Sequence, residues 1–592
     1  MYKQLSFSIA LLVTLSMLLA GCGGAAAPAA PQAPAPTSAP AATTAPAATS
    51  APAATTAPAA TTASAATTAP AATAAPTQAA AAAAPVKIKI FAPQDPNRDM
   101  ATNAFSLELQ KRFNVQFDWT TTTYDAASAK EKRNLALASG DYPDVFFLIP
   151  WIDQFSQVDL LKYGQQGVVI PLNDLINQYA PNIKAALDKY PDFKAMTIAP
   201  DGKIWGLPQL IQCYHCSYAN KMWVNTKWLK NLNIPMPKTT EDFKNMLVAF
   251  RTKDANGDGK PDEVLGGATM DYGTRPIPFL MNGFIYDDDR TYLILNNGKV
   301  DTIANKPAYK DGLTYIKSLY DAKVLDQSAF TNNADAYKAF GDNASAEMLG
   351  AAAGMHPQIF VQCVGDTAAS KPYCYDYDAI PPLQGPNAAF ATYISNMVPG
   401  ATFVLTNKAS QEAQIAAIKM VDWMFTFDGH TFGIQGIKDV NWRDPQPGEL
   451  ANNQKVKPLY FAIPNTPVNN SWGAGAQYFD DVAIRDAQVQ SADIYTDAGY
   501  EHRLLLATDL YNGKESKDLF PFWQVWPDPA VADEQALLKQ NITDYINTNT
   551  LGFVTGSKSL DKDWDAYVKG LDGLGLARYL EINQKAYDGL KK

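Results

Sequence analysis

The chain has 592 residues, 47% of them hydrophobic and 18% charged, and a formal net charge of −10. That length exceeds what one compact core usually reaches, so at least two lobes are expected. The acidic balance argues against nucleic acid and anionic membrane surfaces as partners.

Lys3 is followed by an apolar run from Leu5 to Leu18 and then by Leu19-Ala20-Gly21-Cys22. The run is shorter than a bilayer span and reads as a secretory signal peptide over residues 1–21. Its Leu-Ala-Gly-Cys ending resembles a bacterial lipobox, which implies cleavage before Cys22 and lipid on its thiol; an ordinary cleavage site is the plainer reading. Residues 22–85 are almost wholly Ala, Pro and Thr, with no charge between Lys3 and Lys87. Such a stretch cannot bury a core and reads as a solvated, disordered tether reaching about 40 to 190 Å. No later apolar run is long enough to cross a bilayer, so a lipid is the expected attachment.

The folded part is expected over 86–592. Val86 to Phe91 alternates as a strand, 102–113 reads as a helix, Val115, Phe117 and Trp119 alternate as a second strand, 127–138 is helical, and Val145 to Leu148 is a buried strand. This order predicts an α/β fold with a parallel, wound sheet. Ligands bind beyond the carboxyl ends of such strands, which makes Trp151 a candidate, with core packing as the alternative. Asp201 to Pro208 is a turn and short strand containing Trp205.

Cys213, Cys216, Cys363 and Cys374 remain after Cys22. In an oxidising compartment they suggest two disulfides with three possible connectivities, of which sequence proximity favours Cys213 with Cys216 and Cys363 with Cys374. A redox Cys-x-x-Cys has no thioredoxin-like surroundings here, and zinc through His215 lacks a second ligand pair.

From Lys221 to Leu265 a short apolar run, Met222 to Val224, precedes one helix stopped by Pro235 and Pro237 and a second capped at Thr239 or Thr240. Next comes Asp254-Ala255-Asn256-Gly257-Asp258-Gly259-Lys260-Pro261-Asp262-Glu263. Asp254, Asn256 and Asp258 alternate, Gly259 permits the sharp turn, the Lys260 carbonyl is seventh and Asp262 ninth, the oxygen order of an EF-hand calcium loop. Leu265 holds the twelfth place, so Glu263 is the expected bidentate carboxylate; a polar helix-to-strand turn is the bland reading. Further on, Ser410 caps a helix, Gly433 to Trp442 forms a glycine-rich turn, and 534–546 and 564–587 read as helical. No internal repeat is present, which counts against a calcium-dependent adhesin.

Trp-Val-Asn-Thr-Lys-Trp-Leu at 223–229, Pro-Lys-Thr-Thr-Glu-Asp-Phe at 237–243 and the acidic loop together resemble the extracellular solute-binding proteins of bacterial ABC importers, in particular the oligosaccharide-binding subgroup with an inserted calcium loop. The resemblance implies a periplasmic-binding-protein-like fold: two α/β lobes joined by hinge crossings with a ligand cleft between them. Lobe one is expected at about 86–205 and 391–440, lobe two at about 206–390 and 441–592. It also implies structural Ca2+, an ABC permease as partner, a monomer, and a place at the outer face of the cell membrane. Trp205 and Trp442 stand where the family puts aromatics near the ligand. A sugar needs flat aromatic platforms and polar groups for its hydroxyl rim, for which Trp151, Trp205, Tyr393, Trp442 and Trp472 are the candidates. The competing class is a secreted glycoside hydrolase or lyase. The chain shows no Gly-x-Ser-x-Gly, His-Glu-x-x-His or phosphate loop, and its four histidines fall in no recognisable arrangement, so no catalytic residue is expected.

Overall fold

The computed structural model describes residues 84–590 except 262, 270, 271, 344, 365–370 and 396. The signal peptide, Cys22, the tether through Ala83, and Asp262 therefore lie outside the described residues. The chain opens with β1 (Val86–Pro93), α1 (Ala104–Phe113), β2 (Val115–Thr122), α2 (Ala126–Ser139) and β3 (Val145–Phe147). Asn103 and Asp125 cap the two helices by accepting from Phe105 N and Ser128 N. Asn114 and Gly140, both left-handed, end them and turn the chain back into the sheet. β1 lies between β2 and β3 and is parallel to both, as a βαβαβ order requires.

The helix α3 (Pro191–Thr197) precedes the second sheet, built from β4 (Met222–Asn225), β5 (Val264–Gly266), β6 (Leu349–Ala353) and β7 (Tyr377–Ile380) in the order β7-β4-β6-β5. α4 (Thr240–Thr252) and α5 (Pro307–Asp321) cover one face of it, Phe243, Met246, Leu247 and Phe250 pointing inward at helical spacing. The chain then returns: β8 (Phe403–Leu405) joins the first sheet antiparallel to β3, followed by α6 (Gln411–Met424). Two large cores result. One holds Ile88, Phe105, Phe147, Leu405 and Met420; the other holds Met222, Trp228, Phe250, Tyr309 and Ile316.

Three stretches pass between the halves, at about 205–213, 391–401 and 472–482. Leu210–Ile211 pairs in parallel with Phe479–Asp480. Beyond α7 (Tyr500–Asp509) a fourth stretch crosses. Phe520 and Val525 sit in the second core, Trp523 in the first, and Trp526 with Phe91 and Trp205 on the other face of the first sheet. Gln524 Nε2 donates to Asp192 Oδ1 at 2.5 Å and Trp526 Nε1 to the Ala195 carbonyl at 2.8 Å, both on α3. The terminal helices α8 (Ala532–Thr555), α9 (Trp564–Gly573) and α10 (Leu576–Gly589) then complete the second core through Ile546, Phe553, Trp564 and Tyr579.

Candidate ligand-binding site and acidic loop

The carboxyl ends of β1, β2 and β3 deliver Asp95 and Arg98, Tyr124, and Trp151 to one edge of the first sheet. Trp151 is 46% exposed at the tip of a turn in which the Ile152 and Asp153 N–H groups both donate to the Ile149 carbonyl. The turn is pinned from below: Arg133 Nε donates to Asp153 Oδ2 at 2.7 Å, both side chains are buried, and the guanidinium lies 4.6 Å from the Phe155 ring centroid. Burial nevertheless holds the Asp153 carboxyl above its ordinary value, Arg133 pulling the other way. Tyr124 hydrogen-bonds with Trp151, and burial followed by the Asp95 charge pushes its phenol up. Arg98 is held in place by Asp95 and by donating Nε to the Ser471 carbonyl at 3.1 Å.

A second feature lies where the halves meet, a cavity of about 550 Å³. Tyr190 and Asp192 contribute from the first half, Tyr218 and Glu515 from the second, and Gln212 and Tyr393 from two of the crossings. Tyr393 packs 5.2 Å from Tyr218 and 5.9 Å from Trp523, centroid to centroid. The Tyr218 hydroxyl donates to Glu515 Oε2 at 3.0 Å. Burial, then the charges of Asp192 and Glu515, raise the Tyr393 phenol. Aromatic faces beside carboxylate and amide groups are the pattern that a sugar ring with its hydroxyl rim requires.

Of the five expected platforms, Trp151 and Tyr393 lie at these two places. Trp205, Trp442 and Trp472 are instead buried, at 4%, 7% and 4% exposure. Trp205 lies against Gly164, where a Cβ would come within 2.6 Å of the indole, and Nε1 donates to Asp201. Trp472 wedges edge-on against Phe105 and Phe147 and donates to Ser106 Oγ at 2.8 Å. Trp442 packs with Phe427 and Tyr460 and donates to the Gly436 carbonyl at 3.0 Å. Each indole has a packed pocket and a partner for its N–H, so none is an open platform. Tyr124, Tyr190, Asp192, Tyr218 and Glu515 escape sequence reasoning. Tyr124 alone has a legible signal, standing just past a strand end like Trp151.

The acidic loop joins α4 to β5. Asp254 accepts the Gly257, Asp258 and Gly259 N–H groups, and Asn256 Oδ1 accepts Asp258 N–H at 2.9 Å. Gly257 and Gly259 adopt φ of +80° and +85°, so the loop folds back on itself and turns its oxygens inward. Glu263 is buried. Its Oε1 accepts Asn256 N–H at 3.2 Å, and Oε2 has no partner among the described residues. Burial pushes this carboxyl up. A buried, half-satisfied carboxylate facing a coil of hard oxygens fits the coordination of calcium. Cys213 bonds to Cys216 and Cys363 to Cys374. His215 Nε2 stands 3.4 Å from Cys213 Sγ, but sulfurs in a disulfide are not thiolate ligands.

Comparison with known proteins agrees with this architecture. Residues 99–429 match the family described as bacterial extracellular solute-binding protein. The fructooligosaccharide ABC transporter substrate-binding protein FusA of Streptococcus pneumoniae serotype 4 (strain ATCC BAA-334 / TIGR4) is 30% identical over 511 residues, covering 84% of this chain and 88% of that protein. The structure of a S. pneumoniae FusA EF-hand mutant in complex with fructo-nystose superposes with a TM-score of 0.61 at 26% identity, over 85% of this chain and 99% of that one. An extracellular solute-binding protein from Bifidobacterium longum subsp. infantis shares the fold, with a TM-score of 0.71 at 19% identity over 86% of this chain and 99% of that one. With two α/β halves, the crossings between them and a matched region spanning both, the chain belongs to the bacterial extracellular solute-binding proteins.

Proposed function

We propose that the protein captures a sugar or oligosaccharide between its halves and passes it, with its bonds intact, to the membrane permease of an ABC importer. The observation that carries this reading is the cavity whose tyrosines and carboxylates come from both halves and from the crossings between them. The likeness to FusA, a fructooligosaccharide-binding protein by name, supports it. A ligand touching both walls favours the closed arrangement in proportion to its contacts there, and the permease reads closure. The first half is read as 86–205 and 391 to about 472, the expected boundary at 440 moving because Trp442 packs on Phe427 and Asn469 and Ser471 accept hydrogen bonds from Asp99 and Asn103; the second is read as 206–390 and the chain from about 482 on, with Trp523 and Trp526 packing on the first.

Titration calorimetry and tryptophan fluorescence with kestose, nystose and maltotriose test the capture. Saturable binding with a rise in melting temperature is expected, and Trp151→Ala or Tyr393→Ala weakens it about two- to twelvefold, an aromatic face being worth roughly 0.5–1.5 kcal/mol. Absence of binding by every glycan defeats the reading. Shorter glycans accumulating in the same mixtures would favour the alternative, a secreted carbohydrate-active enzyme.

The acidic loop is read as a structural calcium site using Asp254, Asn256, Asp258, the Lys260 carbonyl, Asp262 and Glu263. What supports this is the orphaned Glu263 oxygen and the EF-hand named in the solved structure of FusA. The mature protein is a monomer held to the outer face of the cell membrane by lipid on Cys22, a reading supported by the lipobox and tether.

A further inference from the structure

We infer that the captured ligand is an uncharged glycan and that the same cavity turns away glycans bearing uronate carboxylates. This rests on the capture reading above and narrows it to a substrate class. Among the described residues lining the cavity none is lysine or arginine, whereas Asp192 and Glu515 face it from opposite halves. Each carboxylate is held by a neutral donor, Asp192 by Gln524 and Glu515 by Tyr218, and neither pairs with a cation among the described residues. Lys189, on the helical end before Tyr190, is already paired with Asp481 at 3.3 Å. The carboxyl edge of the first sheet offers no better host. Arg98 gives Nη1 to Asp95 and Nε to the Ser471 carbonyl, so its fork is not presented for bidentate capture of a carboxylate. Closing the halves on a uronate would bring a third negative charge between two fixed ones as water is excluded, and like-charge juxtaposition of that kind is strongly unfavourable. A neutral ring meets the same groups as hydrogen-bond acceptors for its hydroxyls and carries no such cost. Glu515 and Asp192 thereby act as specificity determinants through repulsion of the wrong ligand as much as attraction of the right one.

The test is calorimetric titration of the wild-type protein with kestose, maltotriose and xylotriose against trigalacturonate, at low salt and at about 1 M NaCl, where the Debye length is about 3 Å. At low salt the best neutral trisaccharide should bind at least about tenfold more tightly than trigalacturonate, and high salt should narrow the gap by raising uronate affinity. The double variant D192N/E515Q should narrow it at low salt. If that variant does not fold, the salt series decides. Trigalacturonate binding as tightly as the best neutral sugar, or a gap that neither salt nor the double variant moves, overturns the inference and leaves the capture reading standing. Failure of every glycan to bind removes the capture reading, and this inference with it.

Discussion

Asp153 and Arg133 show how much of the site is set by one buried pair. Their side chains are 2% and 1% exposed, and the pair anchors the turn that lifts Trp151 to the surface. Asp153→Ala strands a buried guanidinium, so a loss of about 3–5 kcal/mol is expected in urea unfolding. A loss under about 1 kcal/mol would mean that water reaches Arg133. Asp287 is a second case, with an opposite use of burial. Its Oδ1 accepts the Asp289 N–H at 2.9 Å, Oδ2 has no partner among the described residues, and burial, followed by the charges of Asp288 and Asp289, raises the carboxyl from 3.8 to about 8. Between those values the native state holds a proton that the unfolded chain has released. Stability from this group is therefore fully present below about pH 4 and is lost as pH rises towards about 8. Asp287→Asn should remove that slope, so the difference in stability between variant and wild type should change between about pH 4 and about pH 8 and be flat above it. An unchanged difference would place the proton elsewhere.

At the level of elements, the acidic loop ties α4 to β5, and β5 forms the edge of the second sheet beside β6. A bound calcium at extracellular, millimolar concentration adds about 0.4–1.4 kcal/mol if the site has the weak affinity usual for extracellular modules. Chelation should lower the melting temperature while glycan binding persists, and Glu263→Gln should abolish the chelator response; a melting temperature indifferent to chelator removes the metal. The fold-back of this loop was readable in the sequence because Asp254, Asn256 and Asp258 alternate with Gly257 and Gly259 within a few residues. The first βαβαβ unit was readable for a similar reason, since Ile88, Ile90, Val115 and Phe117 announce strands by local alternation. The cavity was not. Tyr190, Tyr218, Tyr393 and Glu515 are far apart in the chain, and no local period marks a residue that faces a cleft rather than a core. Trp205, Trp442 and Trp472 fail for the same reason: a large aromatic at a strand end fits either place, and only the tertiary partners Gly164, Gly436 and Ser106 decide it. α8 runs on to Thr555, past the expected end at Ile546, because Asn549 and Thr550 continue its buried face with polar residues.

Over the whole molecule, closure on a ligand should contract the protein, so small-angle scattering with a saturating neutral glycan should show a smaller radius of gyration. Unchanged scattering alongside measurable affinity would mean that the halves are fixed. The path of the chain through the two cores has a further consequence, for the order in which the protein is made. The first core is incomplete without Leu405, Met420 and Trp472, and the second without Phe553, Trp564 and Tyr579 from the last sixth of the chain. Neither half is a contiguous stretch, and the second cannot have its full interior until Phe553, Trp564 and Tyr579 have left the ribosome. The second half of a nascent chain thus stays unfinished until the helices that carry them emerge. A version stopped at Val531 should expose apolar surface to a fluorescent dye and be digested quickly, because its second core lacks a wall.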